Sequence, residues 1–64
     1  MSELKTFYHN SNTWHQTYEN LNDEINKYAR NNNLFIKNVK YIEKGNVAIA
    51  NVLFSDIPNE LFLL

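Results

Sequence analysis

Sixty-four residues and 7.6 kDa leave room for one small domain, and without any cysteine that domain is held together by packing alone. An apolar share of 44%, with 14% aromatic residues, excludes a disordered tail, and no apolar run reaches the roughly 18 residues of a membrane helix. Six basic against seven acidic residues, a net charge of −1, withhold the cationic excess with which nucleic-acid binders neutralise phosphate.

Residues 4–9 carry Phe7 and Tyr8 and read as a strand rather than a helical turn, with Asn10-Ser11-Asn12 making the turn that follows. A helix is expected over residues 13–31, because Trp14, Tyr18, Leu21, Ile25 and Tyr28 recur every three or four positions as one apolar stripe. Thr13 and Gln16 form a Thr-x-x-Gln capping box at its start, in which each side chain serves the other's backbone N–H. Asn31 to Asn33 end the helix, since asparagine tolerates the left-handed conformation of a C-cap better than any residue but glycine.

Residues 34–43 and 47–54 are rich in β-branched and aromatic side chains and flank the only glycine, Gly45, so they read as a hairpin. The turn is expected to be a type I turn closed by a glycine bulge, with Gly45 at positive φ, where a β-branched substitution would be harmful. Leu34 and Ile36 share one phase of the first hairpin strand while Val39 and Tyr41 share the other, which requires a bulge near Lys37-Asn38. Ala48, Ala50, Val52 and Phe54 form one face of the last strand, and its small alanines suit a helix lying close across it. Val47, Ile49, Asn51 and Leu53 form the other face, too apolar to be left in water over its whole length. Residues 55–64 begin with an aspartate suited to an N-cap and a proline, and finish with Leu61-Phe62-Leu63-Leu64.

The expected architecture is therefore a single α+β domain, β-α-β-β, with one amphipathic helix packed on a small antiparallel sheet and a short apolar C-terminal segment. The parts of an enzyme are missing from the sequence. His9 and His15 lack metal-ligand spacing, no serine sits in a nucleophile elbow, and one glycine cannot build a phosphate cradle. No catalytic residue, metal site or cofactor is expected.

Five large residues on one helix cover one side of a sheet, so the second apolar face and the tail exceed what it buries, and Leu61 to Leu64 would fold back on that face, meet a second copy or await a partner. The expected function is a non-enzymatic interaction or regulatory module, encoded by a phage or mobile element, that binds itself as a homodimer, or a host protein, through the apolar sheet face and the C-terminal tail. Its contacts would come from Ile49, Leu53, Leu61, Phe62, Leu63 and Leu64. The alternative is a small nucleic-acid binder using Lys37, Lys40, Tyr41 and Lys44 on the hairpin, against which stands the role of edge lysines in discouraging sheet-to-sheet association. The tail Glu60-Leu61-Phe62-Leu63-Leu64 is also similar to the Gln-Leu-x-Leu-Phe-type peptide with which bacterial replication proteins dock into the sliding clamp, departing from it at Glu60 and Leu64.

Twelve asparagines and five lysines against one arginine fit an AT-rich genome, hence a low-GC bacterium or its phage. The absence of cysteine and of an apolar core in the first residues makes the cytoplasm the expected address. The strand at residues 4–9, Glu24-Ile25-Asn26-Lys27-Tyr28, Ile36-Lys37-Asn38-Val39-Lys40-Tyr41, the Gly45 turn and Val47-Ala48-Ile49-Ala50 together resemble small uncharacterised βαββ proteins of Firmicutes and their phages, some labelled as sporulation proteins. The resemblance implies the fold and a bacterial or phage setting, and it carries no site residues.

Overall fold

The computed structural model describes residues 2–58. Strand β1 (Ser2–His9) is followed by helix α1 (Trp14–Asn31), then β2 (Phe35–Lys44) and β3 (Val47–Ser55). The sheet order is β1-β3-β2, with β3 antiparallel to both neighbours, so β1 and β2 run parallel to each other on its two sides. The fold is the α+β arrangement expected, with residues 4–9 inside a strand that starts two residues earlier.

The helix begins where its cap dictates. Thr13 is extended, and its hydroxyl accepts from the Gln16 backbone N–H at 3.1 Å. The capping box is half formed, because the Gln16 side chain donates forward to Asn20 Oδ1 at 2.9 Å instead of reaching back. At the other end Asn33 adopts φ 55°, the left-handed conformation anticipated for the asparagine run. The Leu34 N–H donates to the Ala29 carbonyl at 2.8 Å and the Asn33 N–H to the Arg30 carbonyl at 3.4 Å, the two bonds of a Schellman motif. The motif turns Leu34 back onto the core.

The helix buries Thr17, Leu21, Ile25 and Ala29, with Tyr18 and Tyr28 at the margins of the contact. Trp14 is a correction to the expected stripe: it is 42% exposed at the first turn, with its ring beside that of Tyr18. Thr17 replaces it in the interior. Its hydroxyl donates to the Thr13 carbonyl and accepts from the Ser11 N–H, so burial leaves no polar atom unpaired.

Against the helix β3 presents Ala48, Ala50, Val52 and Phe54, all fully buried. The two alanines let the helix approach, and Phe54 fills the space beyond them, edge-on to Phe7 and 5.0 Å from the Tyr28 ring. In β2 the register passes from Ile36 opposite Phe54 to Asn38 opposite Leu53, so Lys37 is the extra residue of a bulge. That insertion changes the phase of the strand, and both Ile36 and Val39 reach the core.

The hairpin turn differs from the one expected. Lys44 pairs with Val47, leaving a two-residue loop, Gly45-Asn46. Gly45 has φ 63° and Asn46 is not at positive φ, the pattern of a II′ turn with glycine first. Such a turn matches the strand twist without an added bulge residue, which is why the shorter loop is favoured.

Candidate interaction surface

Pairing across the sheet sorts the side chains of β1 and β2 with those of β3, since directly opposed residues share a face. Glu3, Lys5, Phe7 and His9 of β1, with Tyr41 and Glu43 of β2, lie on the helix side. Several of them close its rim. The Tyr18 hydroxyl donates to Glu43 Oε2 at 2.6 Å and the Tyr28 hydroxyl donates to Glu3. His9 Nε2 lies 3.2 Å from Glu24 Oε2, and Lys5 Nζ stands over the Phe7 and Tyr28 rings at 5.7 and 5.0 Å.

The two tyrosine–glutamate bonds raise the phenol pKa of Tyr18 and Tyr28 above the ordinary 10.0, chiefly because a hydroxyl donating to a carboxylate resists ionisation. Protonated phenols therefore favour the folded state fully below pH 10, and that contribution is lost as the pH climbs through the raised values. In a tyrosinate absorbance titration, Glu43→Gln should move one ionisation step down toward 10 while leaving the step from Tyr28 in place. An unchanged titration curve would mean that the Tyr18–Glu43 bond does not form in solution.

Among the described residues no helix covers the opposite side of the sheet. By register it carries Leu4, Thr6 and Tyr8 on β1, Val47, Ile49, Asn51 and Leu53 on β3, and Asn38, Lys40, Ile42 and Lys44 on β2, with Phe35 at one end. Leu4 is 72% exposed, Tyr8 67% and Ile42 43%, while Ile49 and Leu53 are half-buried between their neighbouring strands. The Thr6 hydroxyl donates to Asn51 Oδ1 at 2.9 Å and forms a polar centre in this apolar field. Ile49 and Leu53 thus lie on one surface, as their alternation required. Leu4, Tyr8 and Ile42 enlarge it, and their side is not legible in the sequence, which does not reveal which strands pair. Leu61, Phe62, Leu63 and Leu64 lie outside the described residues.

The cationic hairpin constellation divides. Lys40 and Lys44 belong to the open face, Lys37 occupies the bulge, and Tyr41 lies on the helix side. There the Tyr41 ring meets the Tyr18 ring edge-on at 5.2 Å and its hydroxyl donates to Asn22 Oδ1 at 2.9 Å. Tyr41 and Lys40 thus stand on opposite faces of the sheet, so a base stacked on the Tyr41 ring would not share a face with Lys40.

Between β1 and α1 runs an open groove of about 500 Å³, lined by Lys5, Phe7, Tyr8, Glu24, Lys27 and Tyr28 among others. Among the described residues no three His, Cys, Asp or Glu side chains gather as a metal-binding group, and no helix is long and apolar enough to cross a membrane. Comparison with known proteins found no family model that matches the chain, and no curated protein or solved structure that does so.

Proposed function

We propose that the chain is a non-enzymatic interaction module, encoded by a phage or mobile element, that binds itself or a host protein through its open sheet face. The observation that carries this reading is one-sided packing. The helix covers one face of a three-stranded sheet, while Leu4, Tyr8 and Ile42 stand exposed around Ile49 and Leu53 on the other. By register the apolar groups form two clusters, Leu4 with Leu53 and Tyr8 with Ile49 and Ile42, on either side of the polar row Thr6, Asn51 and Lys40, and exposed apolar groups set among polar ones in this way support a protein contact. The apolar sequence of residues 61–64 offers a second element for the same contact. The asparagine-rich composition supports the phage or bacterial setting.

The nucleic-acid reading draws less support, because its aromatic residue is engaged by the helix and the chain carries a net charge of −1. To test the interaction reading, a tagged chain is compared with the double variant Ile49→Lys, Leu53→Lys. The wild type should retain a stoichiometric partner on that face, a further copy or another protein, and the variant should lose that contact while keeping its circular dichroism. A wild-type chain that sediments as a 7.6 kDa species and retains nothing would refute the proposal.

A further inference from the structure

Among the described residues the order β1-β3-β2 leaves two edge strands, and they are built differently. Strand β2 is interrupted by the Lys37 bulge and carries Lys40 and Lys44 on its open side, devices that hinder pairing with another chain. Strand β1 has neither bulge nor proline. Its register with β3 runs without a shift from Ser2 opposite Ser55 to His9 opposite Ala48. Its one cation, Lys5, is folded over the Phe7 and Tyr28 rings. Such an edge is a template for one more strand.

We propose that the occupant of that edge is β1 of a second copy of this chain, paired antiparallel about a two-fold axis at Thr6. The inference goes beyond the open-face reading above, because it adds an edge contact between two copies that Ile49→Lys, Leu53→Lys on the central strand would leave in place. Its basis is self-complementarity. With Thr6 facing Thr6 of the other copy, Leu4 lies opposite Tyr8, Lys5 opposite Phe7 and Glu3 opposite His9, each pair occurring twice. The two most exposed of the large apolar residues, Leu4 and Tyr8, then cover each other on the open face.

Competing registers are poorer. A shift of one residue would set helix-side groups against open-face groups. A pairing centred on Lys5 opposes two like charges, and one centred on Phe7 sets Lys5 against His9 and leaves Leu4 beyond the strand overlap. The Thr6-centred register aligns residues 3–9 in full and opposes no like charges. Its product is a continuous sheet of order β2-β3-β1-β1-β3-β2 with both helices on one face, and the groove between β1 and α1 lies along the new seam.

Because the chain has no cysteine, single cysteines report the register directly. Opposed residues in an antiparallel pair lie roughly 4.5–5.5 Å apart between Cα atoms, inside disulfide range. Thr6→Cys should therefore oxidise to a covalent dimer. Tyr8→Cys should not, because its counterpart lies four residues along the strand, about 13 Å away at the strand rise. Wild type should sediment at twice 7.6 kDa, and Thr6→Lys, which places two ammonium groups at the axis, should shift it to the single-chain mass with unchanged circular dichroism.

Should Thr6→Lys fail to fold, the contrast between the two cysteine variants still decides the register. A dimer that survives Thr6→Lys, or that crosslinks as well through Tyr8→Cys, overturns the β1 pairing and leaves the open face as the contact. A single-chain mass with a stoichiometric different protein retained overturns self-pairing alone. A single-chain mass with nothing retained overturns both readings.

Discussion

Phe54→Ala is expected to leave the protein largely unfolded at 25 °C. Phe54 has no exposed surface, and its ring is shared between Phe7 of β1 and Tyr28 of α1. It joins the central strand to the helix and to the edge strand at once. Removing a buried phenyl group costs about 3–5 kcal/mol, through lost transfer energy and the cavity left behind. At about 0.05–0.15 kcal/mol per residue, a chain of this length has a total stability of only about 3–10 kcal/mol. The loss is therefore comparable with the whole, and a urea melt should show little or no folded baseline. A cooperative melt within about 1 kcal/mol of wild type would mean that Phe54 is not interior.

Ala50→Leu is the second large effect, and it tests the close approach of helix and sheet. Ala50 is fully buried, paired with Phe7 on one side and Tyr41 on the other, beneath a helix whose buried positions include Leu21 and Ile25. Three added carbons have no free volume there, and overpacking of this kind costs about 1–3 kcal/mol or pushes the helix away. The measurement is a paired denaturation series with Lys40→Leu, which puts the same side chain on the solvent side of the sheet. Lys40→Leu should stay within about 0.5 kcal/mol of wild type. Equal effects of the two substitutions would contradict the assignment of the two faces.

Local chemistry was legible in the sequence wherever a residue type admits few backbone solutions. Thr13 caps the helix, Asn33 takes the left-handed position that ends it, and the phase change between Ile36 and Val39 required the bulge found at Lys37. The alternation of Ala48, Ala50, Val52 and Phe54 gave the helix-facing side of β3 directly. What the sequence hid was nonlocal. Nothing in residues 2–9 says that they pair with β3 rather than β2, and without that pairing Leu4 and Tyr8 cannot be assigned to the open face.

The helix stripe shows a different limit. Counting large apolar residues favours Trp14 over Thr17, yet size alone does not decide burial at the first turn. A threonine that bonds its own helix backbone is buried there without an unpaired hydroxyl. Of the expected contact residues, Ile49 and Leu53 fall on one surface with Leu4, Tyr8 and Ile42.

Amide hydrogen exchange along β1, followed as a function of protein concentration, tests most directly whether that edge is where two copies meet. In a lone protomer, alternate amides of residues 2–9 point away from β3 and exchange freely, whereas their neighbours are held by the ladder. The account predicts that the outward set becomes protected as concentration rises, centred on Thr6, while the β2 edge does not change. Outward β1 amides that exchange at one fast rate from micromolar to millimolar protein would contradict it.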